Sequence, residues 1–306
     1  MITPKIKFTI AAIFLCASSL FAKEKIITTN DGVKLYVEIK GEGVPCLFIH
    51  GGPGQGSFYW QKFGNQFSEN QFKMIYLDQR GCGRSSSPQN NDYSLNRMIK
   101  DFETIRKSLN IDEWFIMGHS FGGILQATYA EAKPSKIKGI LMFQCTLDFF
   151  ASINSQIPKV IKMYNLENTD YLTNKAIPIK QRIDSMYLKI AQKNIDPWAI
   201  SFTTQKQSNI FRQIFSEMPN EWNQDFSKEA FEIDDYNKNF YSISDKINIP
   251  VLFFYGTEDI NIGTEHLDQV KFPKVLYYSI KGKHMDFIDN KIDYQKAIND
   301  FLFEFY

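Results

Sequence analysis

Neither sign of charge dominates this chain: 35 Lys and Arg face 34 Asp and Glu, for a formal net charge of +1. That balance gives no support to strong attraction to nucleic acid or to an anionic membrane surface. Histidine and cysteine are both scarce, four of each, and their spacing matches no metal site. Cysteine is too sparse for a disulfide framework, because only Cys46, Cys82 and Cys145 lie beyond the amino-terminal leader described below. Cys46 and Cys145 fall in or beside apolar strands and read as small core residues. Internal repeats, low-complexity stretches and long linkers are also absent, so nothing requires a second catalytic domain. With 306 residues, 43% hydrophobic and 15% aromatic, the chain can bury a substantial core.

At the amino terminus, fourteen uncharged and mostly apolar residues from Phe8 to Phe21 are preceded by Lys5 and Lys7 and followed by Ala22 and Lys23. It is shorter than the roughly twenty residues that a spanning helix needs. The layout is that of a secretory signal peptide cut after Ala22, which predicts a secreted or periplasmic protein with no integral membrane span after processing.

What the chain does contain centres on Gly118-His119-Ser120-Phe121-Gly122. The run Trp114-Phe115-Ile116-Met117 reads as a buried strand, and Ile124 to Ala130 reads as the helix that follows. A serine between glycines at a sharp strand-to-helix turn is presented as a nucleophile. A serine hydroxyl is a weak nucleophile until a base takes its proton, and that base needs an acid to fix its tautomer. Strand 250–255 ends in Gly256-Thr257-Glu258-Asp259, making Asp259 the candidate acid, with Glu258 and Asp286 as rivals. Strand 274–280 leads to Gly282-Lys283-His284, making His284 the candidate base. Of the other histidines, His119 adjoins Ser120 and is expected to point away from it, His50 precedes a glycine turn, and His266 falls inside a helix-like segment. Strand 44–49 opens into His50-Gly51-Gly52-Pro53-Gly54, where bare backbone N–H groups can approach a substrate. Gly52 and Phe121 are the candidate oxyanion donors. Ser120 at the elbow excludes an Asp nucleophile.

His50-Gly51-Gly52-Pro53-Gly54, Asp78-Gln79-Arg80-Gly81-Cys82-Gly83-Arg84-Ser85 and the serine elbow together resemble the proline iminopeptidase family of α/β-hydrolases. The likeness spans roughly residues 26–129 and resumes from 249 to the end. It implies an α/β fold: a mostly parallel eight-stranded sheet flanked by helices, with a helical cap inserted after the sixth strand. It also implies a cofactor-free serine mechanism through an acyl-enzyme, release of amino-terminal residues from short peptides, and a structural role for Arg80 in tying down its loop. Family members hold the substrate's ammonium with cap glutamates from a Trp-Glu helix and a Glu-Asn-His loop. Neither motif is recognisable here; the nearest counterpart, Asp196-Pro197-Trp198, carries no glutamate. Glu217, Glu221, Glu229 and Glu232 could each reach the site from the cap, with Trp198 beside them, although a solvated surface carboxylate is the commoner state of Glu.

The remaining pattern divides the chain into core segments 23–145 and 246–306 and a cap at 146–245. Strands at 25–29 and 34–39 form an opening hairpin turned at Asn30-Asp31-Gly32. Residues 94–109 and 298–305 show helical spacing, and 137–143 read as the sixth strand. The cap segments are amphipathic and rich in aromatics, with Phe149, Phe150, Trp198, Phe202, Phe211, Phe215 and Trp222 as candidate lining residues. The expected activity is therefore an exported serine aminopeptidase. An esterase or lactonase acting on a small uncharged acyl group is the alternative, favoured if no carboxylate in the cap faces Ser120. A non-catalytic ligand-binding protein is the third reading.

Overall fold

The computed structural model describes residues 23–306, so the leader and its cleavage point lie outside the described residues. The chain opens with β1 (Lys23–Thr28), β2 (Lys34–Lys40) and β3 (Val44–Ile49), then α1 (Phe58–Phe63), α2 (Asn65–Ser68), β4 (Phe72–Leu77) and α3 (Leu95–Ser108). β5 (Trp114–His119), α4 (Gly122–Ala132) and β6 (Ile137–Phe143) follow. Next come α5 (Phe149–Met163), α6 (Asp170–Thr173), α7 (Ile179–Gln192), α8 (Gln205–Glu217) and α9 (Asp225–Glu229), and finally β7 (Val251–Gly256), β8 (Val275–Ile280) and α10 (Lys291–Phe305).

All eight strands join one sheet in the order β1-β2-β4-β3-β5-β6-β7-β8. β1 and β2 run antiparallel, and from β4 to β8 every pairing is parallel. Apart from Lys73 and Lys138 near the starts of β4 and β6 and His119 at the end of β5, the inner strands are apolar, because both sheet faces are covered. Leu47, Ile75, Ile116, Ile140 and Phe253 point to the side of α3 and α4, whereas Phe48, Met74, Met117, Leu141 and Phe254 alternate to the side of α1, α2 and α10. Ser94 caps α3 by accepting the Arg97 N–H. The parallel strands all end on one edge, and that edge carries the loops after β3, β5, β7 and β8.

Between β6 and β7 the chain runs through α5 to α9 and short 3₁₀ turns, with no sheet strand among the described residues. One part of this stretch is stitched to the core. Gly83 and Asn223 exchange backbone hydrogen bonds at 2.8 Å, Phe226 N–H donates to Gly81, and the Asn223 amide donates to the Ser85 carbonyl and the Ser87 hydroxyl.

Candidate active site

The elbow forms because β5 turns directly into α4 with Ser120 at φ 57°, a left-handed conformation that L residues adopt only under constraint. Gly122 has to be bare: a Cβ there would lie 2.4 Å from the Ile49 carbonyl oxygen, and that contact is with backbone. The loop after β3 crosses just over the elbow, so that a Cβ at Gly51 would meet the Ser120 Cβ at 2.7 Å.

Ser120 Oγ lies 2.9 Å from His284 Nε2, and His284 Nδ1 lies 2.8 Å from Asp259 Oδ2. A buried carboxylate can only accept, so Nδ1 carries the hydrogen, and the Nε2 lone pair faces the Ser120 hydroxyl, which donates to it. Asp259 is oriented in turn: its Oδ1 accepts the Asn261 N–H at 2.9 Å. The rival acids lie elsewhere. Glu258 is exposed opposite Lys281, and Asp286 accepts from Thr203 and Asn290. Burial raises the Asp286 pKa, with those donors opposing it. Gly52 and Ser120 both border the cavity in front of the elbow. The N–H groups of Gly52 and Phe121 have no protein acceptor among the described residues.

Two buried networks fix the loops around this triad geometry. Asp78 Oδ1 accepts from Ser57 N–H and Ser57 Oγ, both at 2.7 Å, while Oδ2 accepts from Arg84 Nε at 2.7 Å. Burial alone would raise the Asp78 pKa, but Arg84 and Ser57 outweigh it and hold the carboxyl below its ordinary value. Arg80, fully buried, donates to both Asp101 oxygens at 2.6 and 2.8 Å and to Asp31 at 3.0 Å. It therefore pins its loop to α3 and to the β1–β2 turn, as the sequence anticipates. His50 Nε2 accepts the Gln79 N–H, which leaves Nδ1–H to donate to the Gly51 carbonyl at 2.9 Å. Burial depresses the His50 pKa to about 4 and keeps the ring neutral, while the Gly51 bond works the other way.

The cavity that Ser120 faces measures about 720 Å³. Its wall is largely aromatic, with Phe58, Tyr59, Phe149, Phe211 and Trp222, and its polar lining is neutral, including Gln55, Gln156, Asn220, Gln224 and Asn261. No Asp, Glu, Lys or Arg lines it among the described residues. Trp198 and Phe215 stand at its exposed rim, 41% and 49% accessible. Two aromatics expected in the lining fall outside it: Phe150 borders a separate hollow in the cap, and Phe202 is buried against Phe211.

The four cap glutamates do not line the cavity, which corrects the expectation drawn from them. Glu217 ends α8 and pairs with Lys62 on the surface at 2.5 Å, while the apolar stripe of α8 (Phe211, Ile214 and Phe215) turns inward. Glu221 is exposed beside a shallow hollow near Arg84, Glu232 is exposed at another with Lys175, and Glu229 is partly exposed on α9. Glu221 and Glu232 keep their charges hydrated at the surface, and Glu217 keeps its own beside Lys62. What sequence reasoning missed is the neutral lining, Asn220, Gln224 and Asn261, and the bonding of Tyr59 to His119. Isolated amides and tyrosines carry no spacing signal that marks a site.

The sheet order, the elbow and the strand-end constellation together define the class. The chain belongs to the alpha/beta hydrolase fold family, whose model matches residues 44–291. Within that family it is similar to proline iminopeptidases, as the glycine-rich motifs suggest. It is 35% identical to the proline iminopeptidase of Neisseria gonorrhoeae over 115 residues, a match that spans 36% of this chain and only 36% of that relative's length. It is 24% identical to the proline iminopeptidase of Lactobacillus delbrueckii subsp. bulgaricus over 286 residues, covering 87% of this chain and 93% of the relative. A proline iminopeptidase-related protein from Thermus thermophilus superposes with a TM-score of 0.73 at 17% identity, over 92% of this chain and 98% of that one. The last likeness speaks for the fold alone.

Proposed function

We propose that this hydrolase uses Ser120 as nucleophile and acts on an uncharged acyl compound, an ester or lactone, rather than on a free amino terminus. Ser120 Oγ attacks the acyl carbon as its proton passes to His284 Nε2, and Asp259 holds His284 in the required tautomer. The N–H groups of Gly52 and Phe121 receive the developing oxyanion. His284 then protonates the leaving group, and water, deprotonated by the same imidazole, cleaves the acyl-enzyme and restores Ser120. Residues 146–245 serve as the cap over a core built from 23–145 and 246–306, and residues 1–22 direct export to the periplasm or the exterior.

The observation that carries the substrate assignment is the absence of any carboxylate lining the cavity among the described residues. A desolvated ammonium without a counter-charge costs several kcal/mol, and the amide oxygens of Asn and Gln offset only part of that. The second reading, an aminopeptidase of proline iminopeptidase type, is favoured by likeness to relatives of that name over 87% of the chain. Paired substrates separate the two: short acyl esters, amine-blocked proline and alanine anilides, and the same anilides with free amines. Ester turnover with slow or no cleavage of the free-amine anilides is expected. Faster cleavage of free-amine than blocked anilides would overturn the ester assignment. A protein that hydrolyses none of them and resists serine-directed fluorophosphonates would be a binding protein.

A further inference from the structure

Two buried polar side chains stand beside the proposed triad without belonging to it. His119 precedes the nucleophile, and Tyr59 on α1 forms part of the cavity wall. Tyr59 Oη lies 3.0 Å from His119 Nδ1, His119 Nε2 lies 3.2 Å from the His284 carbonyl oxygen, and the Gly51 N–H reaches Tyr59 Oη at 3.4 Å. These partners set the direction of every proton. A carbonyl only accepts, so His119 Nε2 carries the hydrogen and donates it. Nδ1 is then a lone pair, and the Tyr59 O–H must donate to it. A remaining lone pair of the hydroxyl takes the Gly51 N–H. Burial, with the His284 ring 4.7 Å away, drives the His119 pKa well below its ordinary value, so this neutral tautomer persists. Burial pushes the Tyr59 hydroxyl the other way, so it keeps its proton.

The resulting chain of Gly51, Tyr59, His119 and His284 bridges the two flanks of the nucleophile. At one end is the loop carrying the proposed oxyanion donor Gly52, and at the other is the backbone of the proposed base. We infer that Tyr59 and His119 form a positioning relay that fixes the loop after β3 against the loop after β8, holding oxyanion donor and base in register across Ser120. The inference rests on the serine-hydrolase reading. Neither side chain touches the reacting atoms; both act through backbone groups. A buried chain in which every member is satisfied favours one arrangement, because a broken link leaves a desolvated donor or acceptor behind.

The test compares Tyr59→Phe, His119→Leu, the double variant and His119→Gln with the wild type, reading kcat and KM on an ester together with the melting temperature. Each single loss is expected to lower kcat about tenfold with KM changed less than about twofold, and the double variant should fall no further, since all three cut the same chain. His119→Gln, whose amide can donate to one partner and accept from the other, should recover most of what His119→Leu loses. Losses that multiply in the double variant, or lowered melting temperatures with unchanged kcat, would overturn the relay. Backbone amide resonances add a readout independent of turnover. Joint movement of Gly51 and His284 in Tyr59→Phe supports the relay even in a wild type that hydrolyses nothing, a result that would sink only the serine-hydrolase reading. An unmoved His284 would overturn the relay.

Discussion

Asp259 is 1% exposed and commits one oxygen to His284 and the other to the backbone of its own loop. It has no freedom to orient the imidazole differently, so its contribution in the proposed mechanism is the choice of tautomer. Asp259→Asn keeps the shape but offers an amide donor to Nδ1, which turns the Nε2 hydrogen toward Ser120. Turnover is expected to fall by roughly three to four orders of magnitude with the fold intact. Ser120→Ala removes the attacking oxygen and should abolish both turnover and fluorophosphonate labelling while leaving the circular dichroism spectrum unchanged. Ester hydrolysis retained by Ser120→Ala would overturn the mechanism.

At the scale of elements, the elbow is where backbone geometry limits sequence most severely. Gly122→Ala puts a methyl 2.4 Å from a carbonyl oxygen held in the sheet, and relief requires moving α4 or β3. A loss of about 2 kcal/mol or more is expected from urea unfolding, with activity falling further because Ser120 moves with the helix. The core elements were legible because parallel strands covered on both faces read as apolar runs, broken only near their starts by Lys73 and Lys138. Phe72–Leu77, Trp114–His119 and Ile137–Phe143 appear where those runs stand. Ser120, Asp259 and His284, which the structure brings within hydrogen-bonding distance, stand just past the ends of β5, β7 and the edge strand β8. The cap was not legible in this way. Its helices and 3₁₀ turns have periodicity but no sequence signal for how they sit on the core, so Phe202 and Phe211 look alike in sequence while only Phe211 reaches the cavity. For Glu217 the decisive fact was Lys62, 155 residues away, a partner no local pattern announces.

Across the whole molecule, buried neutral histidines make stability depend on pH. Burial holds the His50 pKa at about 4 against an ordinary 6.5, and His119 is depressed as well. As pH falls, the unfolded chain therefore takes up protons first. The stability present above pH 6.5 is lost progressively toward pH 4, by about 2 kcal/mol between pH 7.5 and 5 from His50 alone. Asp78, held below its ordinary 3.8, adds a loss of the same sign at still lower pH. Urea midpoints recorded across this range should decline steadily below pH 6.5, and a flat profile down to pH 5 would contradict the neutral buried state. Connectivity has a different consequence, one concerning time. Ser120 meets the imidazole of His284, which lies 164 residues later in the chain, so during synthesis the elbow and its helix emerge long before His284 exists. A growing chain at any earlier stage presents the proposed nucleophile with nothing to deprotonate it. On the proposed mechanism, hydrolytic competence is therefore the last property the polypeptide acquires, and every product truncated before His284 would stay inert toward the esters of the cell that makes it.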